Sequence, residues 1–194
     1  MARPREFDYE EVVRAAMQAF WARGYEATSV NDLMDATGLQ KGSLYKAFGD
    51  KHSLFIKALG AYLDELSEHD QALAAQDVTP KEALQAYVHG GIDSMTGEGT
   101  DQCGCFAVNT VVELAPHDPE VRALLMKDYQ LKLDAMSRLI KRGQDAGDFR
   151  TDIPARQLAT TFVTGMFGLI ISLKGGVPAD QAHATAENLI QLLA

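Results

Sequence analysis

The run FWARGYEATSVNDLMDATGLQKGSLYKAFGDK, residues 20–51, contains two short helix patterns separated by a single glycine turn. Ser29 and Asp32 have the spacing of a capping box, which starts a helix, and Gly38 ends that helix after about two turns. A further short helix is predicted over Lys41 to Phe48, because its apolar residues lie four apart on one side. Two short helices joined by a tight turn, following a longer helix, predict a helix-turn-helix unit.

Helical spacing continues on both sides of this run, and the period-two alternation of strands is almost absent. Upstream, Asp8 and Glu11 are spaced as a capping box for a helix predicted from Tyr9 to Arg23. Downstream, caps, prolines and glycines predict six more helices, which begin at Lys51, at Thr79-Pro80, near Cys105 (to Ala115), after Asp118 (toward Gly147), at Pro154 (to Lys174) and at Pro178 (to Leu193). The chain is therefore predicted to be all-α with about nine helices, divided into a helix-turn-helix domain of residues 1–50 and a C-terminal helical domain of residues 51–194.

The composition and charge are those of a globular protein with an uneven charge distribution. The 194 residues are 46% hydrophobic and 23% charged, which is not typical of disorder or collagen. The net charge of −9 argues, by itself, against binding nucleic acid. Residues 1–60, however, carry eight basic and eight acidic side chains, whereas residues 61–194 hold ten basic and nineteen acidic ones. This asymmetry predicts two parts with different partners, of which only the second is acidic.

The two cysteines, Cys103 and Cys105, stand one residue apart, which is too short a framework to staple a secreted domain. Residues 1–6 lack the apolar run of a signal peptide, and the chain has no stretch of 18 or more uninterrupted apolar residues. A soluble, cytoplasmic protein without a membrane partner is expected.

The predicted helix from Pro154 to Lys174 carries no charge between Leu158 and Ile171, so it is apolar on every side. Such a helix near the end of a small chain is buried most easily against a second subunit. The sequence therefore predicts a homodimer whose two C-terminal helix pairs form a four-helix bundle, and the alternative is that these helices form the core of a monomer. The residues predicted for the dimer interface are Phe162, Gly165, Leu169, Ala182, Ala186, Leu189, Ile190 and Leu193.

The outward side of the predicted third helix suits DNA. It presents Lys41, Gly42, Ser43, Tyr45 and Lys46, with no acidic side chain. The glycine permits close approach of the backbone, and the hydroxyls and lysines can bond to phosphates or base edges. The alternative is an ordinary solvated helix face, because helix-turn-helix geometry alone does not establish DNA binding.

The runs Phe20–Val30 and Gly38–Lys51 closely resemble the N-terminal domain of TetR-family transcriptional regulators, in which several of these spacings occur together. The resemblance covers about a quarter of the chain. It implies that the N-terminal unit binds double-stranded operator DNA as a dimer. It also implies that the C-terminal helices dimerise and bind an unknown small-molecule effector, usually to relieve repression. No cofactor is expected.

Carried over position by position, the resemblance implies a set of DNA-contacting residues: Ser29, Lys41, Gly42, Ser43, Tyr45, Lys46 and Lys51. Two residues depart from the family pattern. Gln40 stands where serine or threonine commonly caps the recognition helix, which weakens capping by about 1 kcal/mol. Met34 replaces a residue that is usually small. Neither departure changes the assignment.

A ligand pocket in the C-terminal region needs mostly apolar walls with a few polar groups. Asn109 and Glu113 are the best polar candidates, because they lie four apart on an otherwise apolar helix. A structural polar pair, and ordinary core positions for the apolar residues, are the alternatives. The predicted lining is Tyr62, Leu66, Tyr87, Met95, Cys105, Phe106, Asn109, Thr110, Glu113, Tyr129, Leu133, Met136, Phe162 and Met166.

Cys105 lies near a predicted helix N-terminus, where the macrodipole stabilises a thiolate, so Cys105 with Cys103 is a candidate sensor of electrophiles or oxidants. The neighbouring Glu98 and Asp101 oppose this effect, and a buried, inert cysteine is the alternative.

No metal site or enzyme is predicted. Cys103, Cys105 and His117 lack a second paired motif, and His52, His69, His89 and His183 are scattered and expected to be solvated. A nucleophile elbow, a glycine-rich phosphate loop after a strand and a His-Glu zinc helix are all missing from the sequence. The remaining alternative to a DNA-binding regulator is a helical ligand-binding or redox protein whose corner at Gly38 is merely structural.

Overall fold

The computed structural model describes residues 7–74, 77–97 and 103–194, and within these ranges it contains nine α-helices and no β-strand. In chain order they are α1 (Tyr9–Arg23), α2 (Val30–Thr37), α3 (Lys41–Phe48), α4 (Lys51–Ala74), α5 (Pro80–Thr96), α6 (Phe106–Glu113), α7 (Pro119–Ala146), α8 (Ala155–Lys174) and α9 (Ala179–Gln191). The all-α prediction is confirmed, and the predicted bounds of the first and third helices agree with the structure to the residue.

Local capping chemistry fixes the helix-turn-helix corner. The Ser29 hydroxyl accepts from the Asp32 amide, and the Asp32 carboxylate accepts from the Ser29 amide, so α2 begins with a complete capping box. Gly38 ends α2 with a φ of 68°, a left-handed conformation that favours glycine. Among the described contacts, Gln40 makes no side-chain hydrogen bond at the start of α3, so this helix lacks the cap that serine or threonine would provide.

The first of two hydrophobic clusters joins the helix-turn-helix to the middle of the chain. Phe20, Leu33 and Leu44 bring α1, α2 and α3 together, and all three are almost fully buried. Phe55 of α4 and Phe106 of α6 belong to the same cluster. The predicted division after residue 50 falls in the turn before α4 and therefore cuts through one hydrophobic core.

The second cluster lies among α5, α7, α8 and α9, and it changes the interpretation of the predicted dimer interface. Phe162, Leu169, Ala182, Ala186, Ile190 and Leu193 are all buried in this cluster within a single chain. Gly165 lies against Leu189, because a Cβ at Gly165 would come within 2.8 Å of the leucine methyl carbons. Six of these eight residues are thus packed inside one chain, whereas Gly165 and Leu189 are half-buried, so the predicted interface is corrected for the six buried residues alone.

The outward face of α8 is a different stripe of the same helix. Over an 18-residue window α8 has a mean hydropathy of 1.3 and only 28% buried residues, so by length and composition alone it is apolar enough to span a membrane. Core helices of soluble proteins share this length and composition, and α8 packs against α7 and α9. Thr164 and Gly168 are exposed, Ile171 is 54% exposed, and Leu192 after α9 is 66% exposed. A single chain therefore leaves an apolar stripe uncovered.

Two of the histidines expected to be isolated are in contact. The rings of His89 on α5 and His183 on α9 stack with centroids 4.8 Å apart, and their Nδ1 atoms are 2.5 Å apart. The Nε2 atom of His89 lies 2.6 Å from Glu187, and that of His183 lies 3.1 Å from Asp93. The expectation that these histidines are scattered and solvated is wrong for this pair, because the packing of α5 on α9 joins distant parts of the chain.

Candidate DNA interface and ligand cavity

The outward face of α3 is exposed and basic. Lys41, Gly42, Ser43 and Lys46 are exposed, and Tyr45 is half-buried. The Lys41 ammonium lies 5.8 Å from the centroid of the Tyr45 ring, so a cation and a hydroxyl-bearing ring lie side by side. Among the described residues, none places a heavy atom within 4 Å of the position of a Cβ on Gly42. The backbone of α3 is therefore accessible to a phosphate or a base edge at this point.

Ser29 is exposed and already engaged in the cap of α2. Its hydroxyl lies 2.5 Å from Oδ2 of Asp32, and Arg23 forms an ion pair with the other oxygen of that carboxylate. Hydrogen bonds from Ser29, with a smaller effect from Arg23, lower the pKa of Asp32 below its ordinary value. An ionised carboxylate thus lies beside a residue predicted to contact DNA, and Arg23 offsets its charge.

Lys51, the first residue of α4, is positioned by the aromatic ring of Tyr25. Its Nζ lies 4.2 Å from the centroid of the Tyr25 ring, which is within the range of a cation–π interaction. Burial, with smaller effects from nearby carboxylates, raises the pKa of Tyr25, so the phenol stays neutral. The same ring packs edge-on against His52 and Phe55. The Lys51 ammonium is therefore held near the end of α3.

A carboxylate of α6 joins the loop between α1 and α2. Glu113 accepts hydrogen bonds from the amides of Tyr25 and Glu26, at 3.0 Å and 2.9 Å. Gly24 makes this approach possible, because its φ is 85° and a Cβ there would lie 2.9 Å from Oε2 of Glu113. Glu113, predicted as a pocket residue, instead links the C-terminal region to the helix-turn-helix.

Two further contacts reinforce this junction. The indole N–H of Trp21 on α1 donates to the carbonyl of Gly104 at 2.8 Å, immediately before α6. His52 of α4 lies 2.7 Å from Asp118, the residue that caps α7. Asp118 accepts hydrogen bonds from amides of α7, and these bonds, with a contribution from His52, lower its pKa. Both ends of α6 are therefore anchored to the helix-turn-helix unit.

A cavity of about 990 Å³ lies beside this junction, and its wall is formed by α1 together with α4, α5, α6, α7 and α8. Its size and mostly apolar walls suit a small organic molecule. Eight of the residues that the sequence assigned to a pocket are brought together in its wall: Tyr62, Leu66, Tyr87, Met95, Cys105, Tyr129, Phe162 and Met166.

The other six predicted pocket residues lie outside the cavity wall. Besides Glu113, the polar candidate Asn109 is occupied, since its amide donates to the Cys103 carbonyl and its oxygen accepts from Lys174, both at 2.7 Å. Thr110 is buried and donates to the carbonyl of Phe106 within α6. The three remaining residues, Phe106, Leu133 and Met136, pack in the two hydrophobic clusters.

Two buried charged residues of the cavity wall, Asp128 and Lys132 on α7, are absent from the lining predicted from the sequence. Both are at least nine-tenths buried. They occupy inward positions of the helical stripe that continues from Val121 and Leu125. A charged residue at an inward position of an apolar stripe is the feature of the sequence that could have indicated these two wall residues.

Both cysteines lie just before α6, and they do not form a disulfide with each other. Sγ of Cys105 lies 3.3 Å from the hydroxyl of Tyr62, and both residues contribute to the cavity wall. Burial, followed by the proximity of Cys105, raises the pKa of Tyr62. Glu98 and Asp101, which were expected to oppose a thiolate, lie outside the described residues. Within the described residues, no group of three His, Cys, Asp or Glu side chains is arranged to hold a metal ion.

A helix-turn-helix with an accessible basic third helix, joined to a helical domain with a cavity, defines a DNA-binding transcriptional regulator of the one-component class. The sequence matches the profile described as bacterial regulatory proteins, tetR family, over residues 12–58 and the profile described as tetracyclin repressor-like, C-terminal domain, over residues 80–186. The chain belongs to the TetR family.

Two curated relatives of similar length are transcriptional repressors. The HTH-type transcriptional repressor ComR of Escherichia coli is 27% identical over 191 residues, covering 98% of this chain and 90% of that protein. The repressor AcnR of Corynebacterium efficiens is 30% identical over 175 residues, covering 88% and 84%. These relatives align with both parts of the chain.

Solved structures share the whole fold. A cysteine-substituted CifR in complex with a 26-bp double-strand operator is 28% identical, with a TM-score of 0.86 and 100% coverage of both chains. The reduced form of Escherichia coli NemR has the same TM-score of 0.86 at 16% identity, covering 95% of this chain and 96% of that one, which shows likeness of fold alone.

Proposed function

We propose that this protein is a cytoplasmic repressor that binds a palindromic operator as a homodimer and leaves it when a small molecule occupies the cavity. The observation that carries this proposal is the junction at α6: the helix that lines the cavity also bonds the loop of the helix-turn-helix through Glu113. Ligand binding and DNA binding therefore act on one connected structure.

In the DNA complex, α3 lies in the major groove. Lys46 and Ser43 reach base edges or phosphates, while Gly42 allows the backbone to come close. Lys51 and the N-terminus of α4 bind a phosphate, because the amides and the ammonium are both positive there. The cysteine-substituted CifR was solved with operator DNA, which supports this arrangement for a chain of the same fold.

We propose that the homodimer forms through the outward stripe of α8 and the end of α9, in place of the six predicted interface residues that are buried within one chain. Thr164, Gly168 and Ile171 are exposed on α8, and Leu192 is exposed after α9. Two copies of this helix pair give a four-helix bundle with small residues at the contact. A two-fold dimer requires an operator with inverted symmetry.

The ligand releases DNA by favouring a dimer in which the two α3 helices have the wrong separation. The long helix α4 carries Lys51 at one end and the cavity residues Tyr62 and Leu66 further along, so its tilt connects the two sites. Glu113 provides a second connection through α6. By linkage, bound DNA weakens ligand affinity by the same factor as the ligand weakens DNA affinity.

Binding to DNA fragments from upstream of the protein's own gene tests the proposal. Fluorescence anisotropy with the native chain is expected to find a fragment with an inverted repeat that binds in a salt-dependent manner. Lys46→Ala weakens or relaxes the preference for this fragment. Lys51→Ala weakens all sequences about equally and lowers the salt slope by about one.

Lys141→Ala is the matched control, because Lys141 lies near the end of α7 in an exposed ion pair with Asp145. Its affinities are expected to equal those of the native chain. Unchanged binding in both test variants, or a footprint without inverted symmetry, contradicts the proposed DNA interface.

A second candidate function is sensing of an electrophile or oxidant by Cys105. The observation in its favour is that the sulfur lies in the cavity wall beside Tyr62, within reach of a molecule that enters. Replacement of both cysteines by serine, followed by measurement of operator release by hydrogen peroxide or an α,β-unsaturated carbonyl, separates this function from reversible ligand binding. Release that persists in the double serine variant contradicts it.

A further inference from the structure

A buried charged cluster contributed by α4, α5 and α7 lies at the cavity, and its members Tyr87, Asp128 and Lys132 line the wall. Nζ of Lys132 lies 2.5 Å from Oδ2 of Asp70, and the phenol of Tyr87 is close enough to both groups for their charges to affect its pKa. Asp128 is one helical turn from Lys132 on the same face of α7 and lines the cavity. Asp70, Asp128 and Lys132 are 2%, 9% and 8% exposed, so water screens the cluster poorly.

Two carboxylate oxygens of this cluster have no donor. Among the described residues, Oδ1 of Asp70 and Oδ1 of Asp128 are the buried side-chain oxygens without a hydrogen-bond partner. A buried carboxylate oxygen without a donor costs the folded state free energy, and most native structures contain few such groups. Asp128 is the one of the two whose side chain faces the cavity.

The charges of the cluster do not balance. One ammonium faces two carboxylates, and Lys132 is already committed to Asp70. The surrounding phenol and carboxylates outweigh burial and raise the pKa of Lys132, so it stays charged. Burial raises the pKa of Asp128, with Lys132 opposing this effect and Asp70 adding to it. A cationic donor beside Asp128 would complete the hydrogen bonds and balance the charge.

The other cation of the wall does not supply this donor. Arg122 lies six residues before Asp128 on α7, which is about 9 Å along the helix axis. Its guanidinium donates to the carbonyls of Ala115 and Pro116, at 2.8 Å and 2.9 Å. The remainder of the wall is mostly apolar, including Leu66, Met95 and Phe162.

We propose that the cavity binds an amphipathic amine: an apolar skeleton among the aliphatic and aromatic side chains, with a protonated amino group that donates to Asp128. This inference rests on the proposed function in one respect, that the cavity is the effector site. It adds the chemical class of the effector. Anionic ligands are disfavoured, because they would meet the oxygens of Asp128 while the ammonium of Lys132 is occupied by Asp70.

Three ligands of one skeleton test the charge preference by calorimetry on the native chain: 4-phenylbutylamine, 4-phenylbutanol and 4-phenylbutanoate. The amine is expected to bind about tenfold or more tightly than the alcohol, since a charge-assisted hydrogen bond is replaced by a neutral one. The carboxylate is expected to bind most weakly. Equal affinities, a preference for the carboxylate, or no detectable binding of the amine overturns the inference.

Asp128→Asn locates the binding group without a loss of fold. Because burial raises the pKa of Asp128, ionisation of this carboxyl group costs the folded state free energy. The amide of the variant does not ionise, so its unfolding temperature at neutral pH is expected to equal or exceed that of the native chain. The variant is expected to lose the preference for the amine over the alcohol. Asp134→Asn is the control, because Asp134 lies on the same helix in an exposed ion pair with Arg156.

Retention of the amine preference in Asp128→Asn overturns the assigned role of Asp128. The outcome is separable from that of the proposed function, because operator binding is measured independently. A chain that binds its operator without preferring the amine contradicts only this inference. A chain that prefers the amine and binds no promoter-proximal DNA contradicts only the proposed function.

Discussion

Individual glycines in this protein are surrounded very differently, although they lie in helices of similar geometry. At Gly42 on α3 an added Cβ meets nothing within 4 Å among the described residues. At Gly143 on α7 the same atom would lie 2.1 Å from a ring carbon of Phe149. The first glycine is therefore dispensable for the fold of the chain, whereas the second is required by close packing.

Gly42→Ala is expected to leave the free energy of unfolding unchanged or to raise it by up to about 1 kcal/mol, because alanine is the better helix former. Operator affinity is expected to fall, because the methyl group keeps the duplex away from the α3 backbone. Chemical denaturation and fluorescence anisotropy measure the two effects on the same preparation.

Gly143→Ala is the matched variant for this comparison. It is expected to lose about 1–3 kcal/mol of stability through overpacking against Phe149, without affecting the DNA-facing surface. If Gly42→Ala binds the operator as tightly as the native chain, the backbone of α3 does not approach DNA at that residue.

Among the helices, α8 has two faces with different roles. Its inner face packs on α7 and α9, where Gly165 lies against Leu189. Its outer face carries Thr164, Gly168 and Ile171, and among the described residues nothing lies within 4 Å of a Cβ on Gly168. An apolar helix pattern predicts burial on all sides, and it does not specify which residues are covered by the same chain.

Gly168→Glu is expected to convert the dimer into a folded monomer. The new side chain has room within one chain, but it would place two like charges in the apolar contact of the dimer. Sedimentation equilibrium reports the mass. Gly165→Ala, one turn away, is expected to lower stability while the protein remains dimeric at micromolar concentration. A dimeric Gly168→Glu variant would show that the subunits associate through another surface.

At the scale of the whole molecule, the net charge of −9 comes from residues 61–194 and not from the DNA-binding surface. Residues 1–60 are balanced, and the exposed face of α3 contributes lysines without acids. We therefore expect the global charge to keep non-specific DNA affinity modest, so that binding depends on the contacts that α3 makes locally.

The link between the C-terminal domain and the helix-turn-helix is expected to depend on Glu113. Glu113→Gln retains one acceptor oxygen for two amides, so stability is expected to fall by about 1 kcal/mol and the amides of Tyr25 and Glu26 to exchange faster with solvent. Glu65→Gln, an exposed position on α4, is the control for hydrogen exchange. Unchanged protection of the two amides in Glu113→Gln would mean that α6 does not hold this loop.

Most helices, including those of the helix-turn-helix, could be predicted from the sequence, because they depend on interactions within a few residues. The capping box of Ser29 and Asp32, the left-handed Gly38 and the spacing of Leu44 and Phe48 are all local. The predictions of Tyr62, Leu66 and Cys105 as cavity residues also agree with their positions in the wall, since apolar stripes point inward.

The predictions that needed correction concern contacts between residues far apart in the chain. Glu113 was assigned to the pocket, although its partners lie 88 and 87 residues away in the loop after α1. His89 and His183, which were expected to be isolated, are likewise in contact across 94 residues. The ion pair of Lys132 with Asp70, across 62 residues, was not predicted from the sequence. Periodicity identifies the side of a helix that is covered, and it contains no information on which element covers it.

The all-α fold, the helix-turn-helix and the balanced charge of residues 1–60 follow from the sequence, because helix capping, helical periodicity and residue type are properties of short segments. Only the packing of the helices shows which apolar residues of α8 remain exposed. It also shows that α6 joins the cavity to the helix-turn-helix and that Asp128 faces the cavity. These features arise from the packing of helices distant in sequence, where a buried charge or a close contact is stabilised by partners that no local pattern specifies.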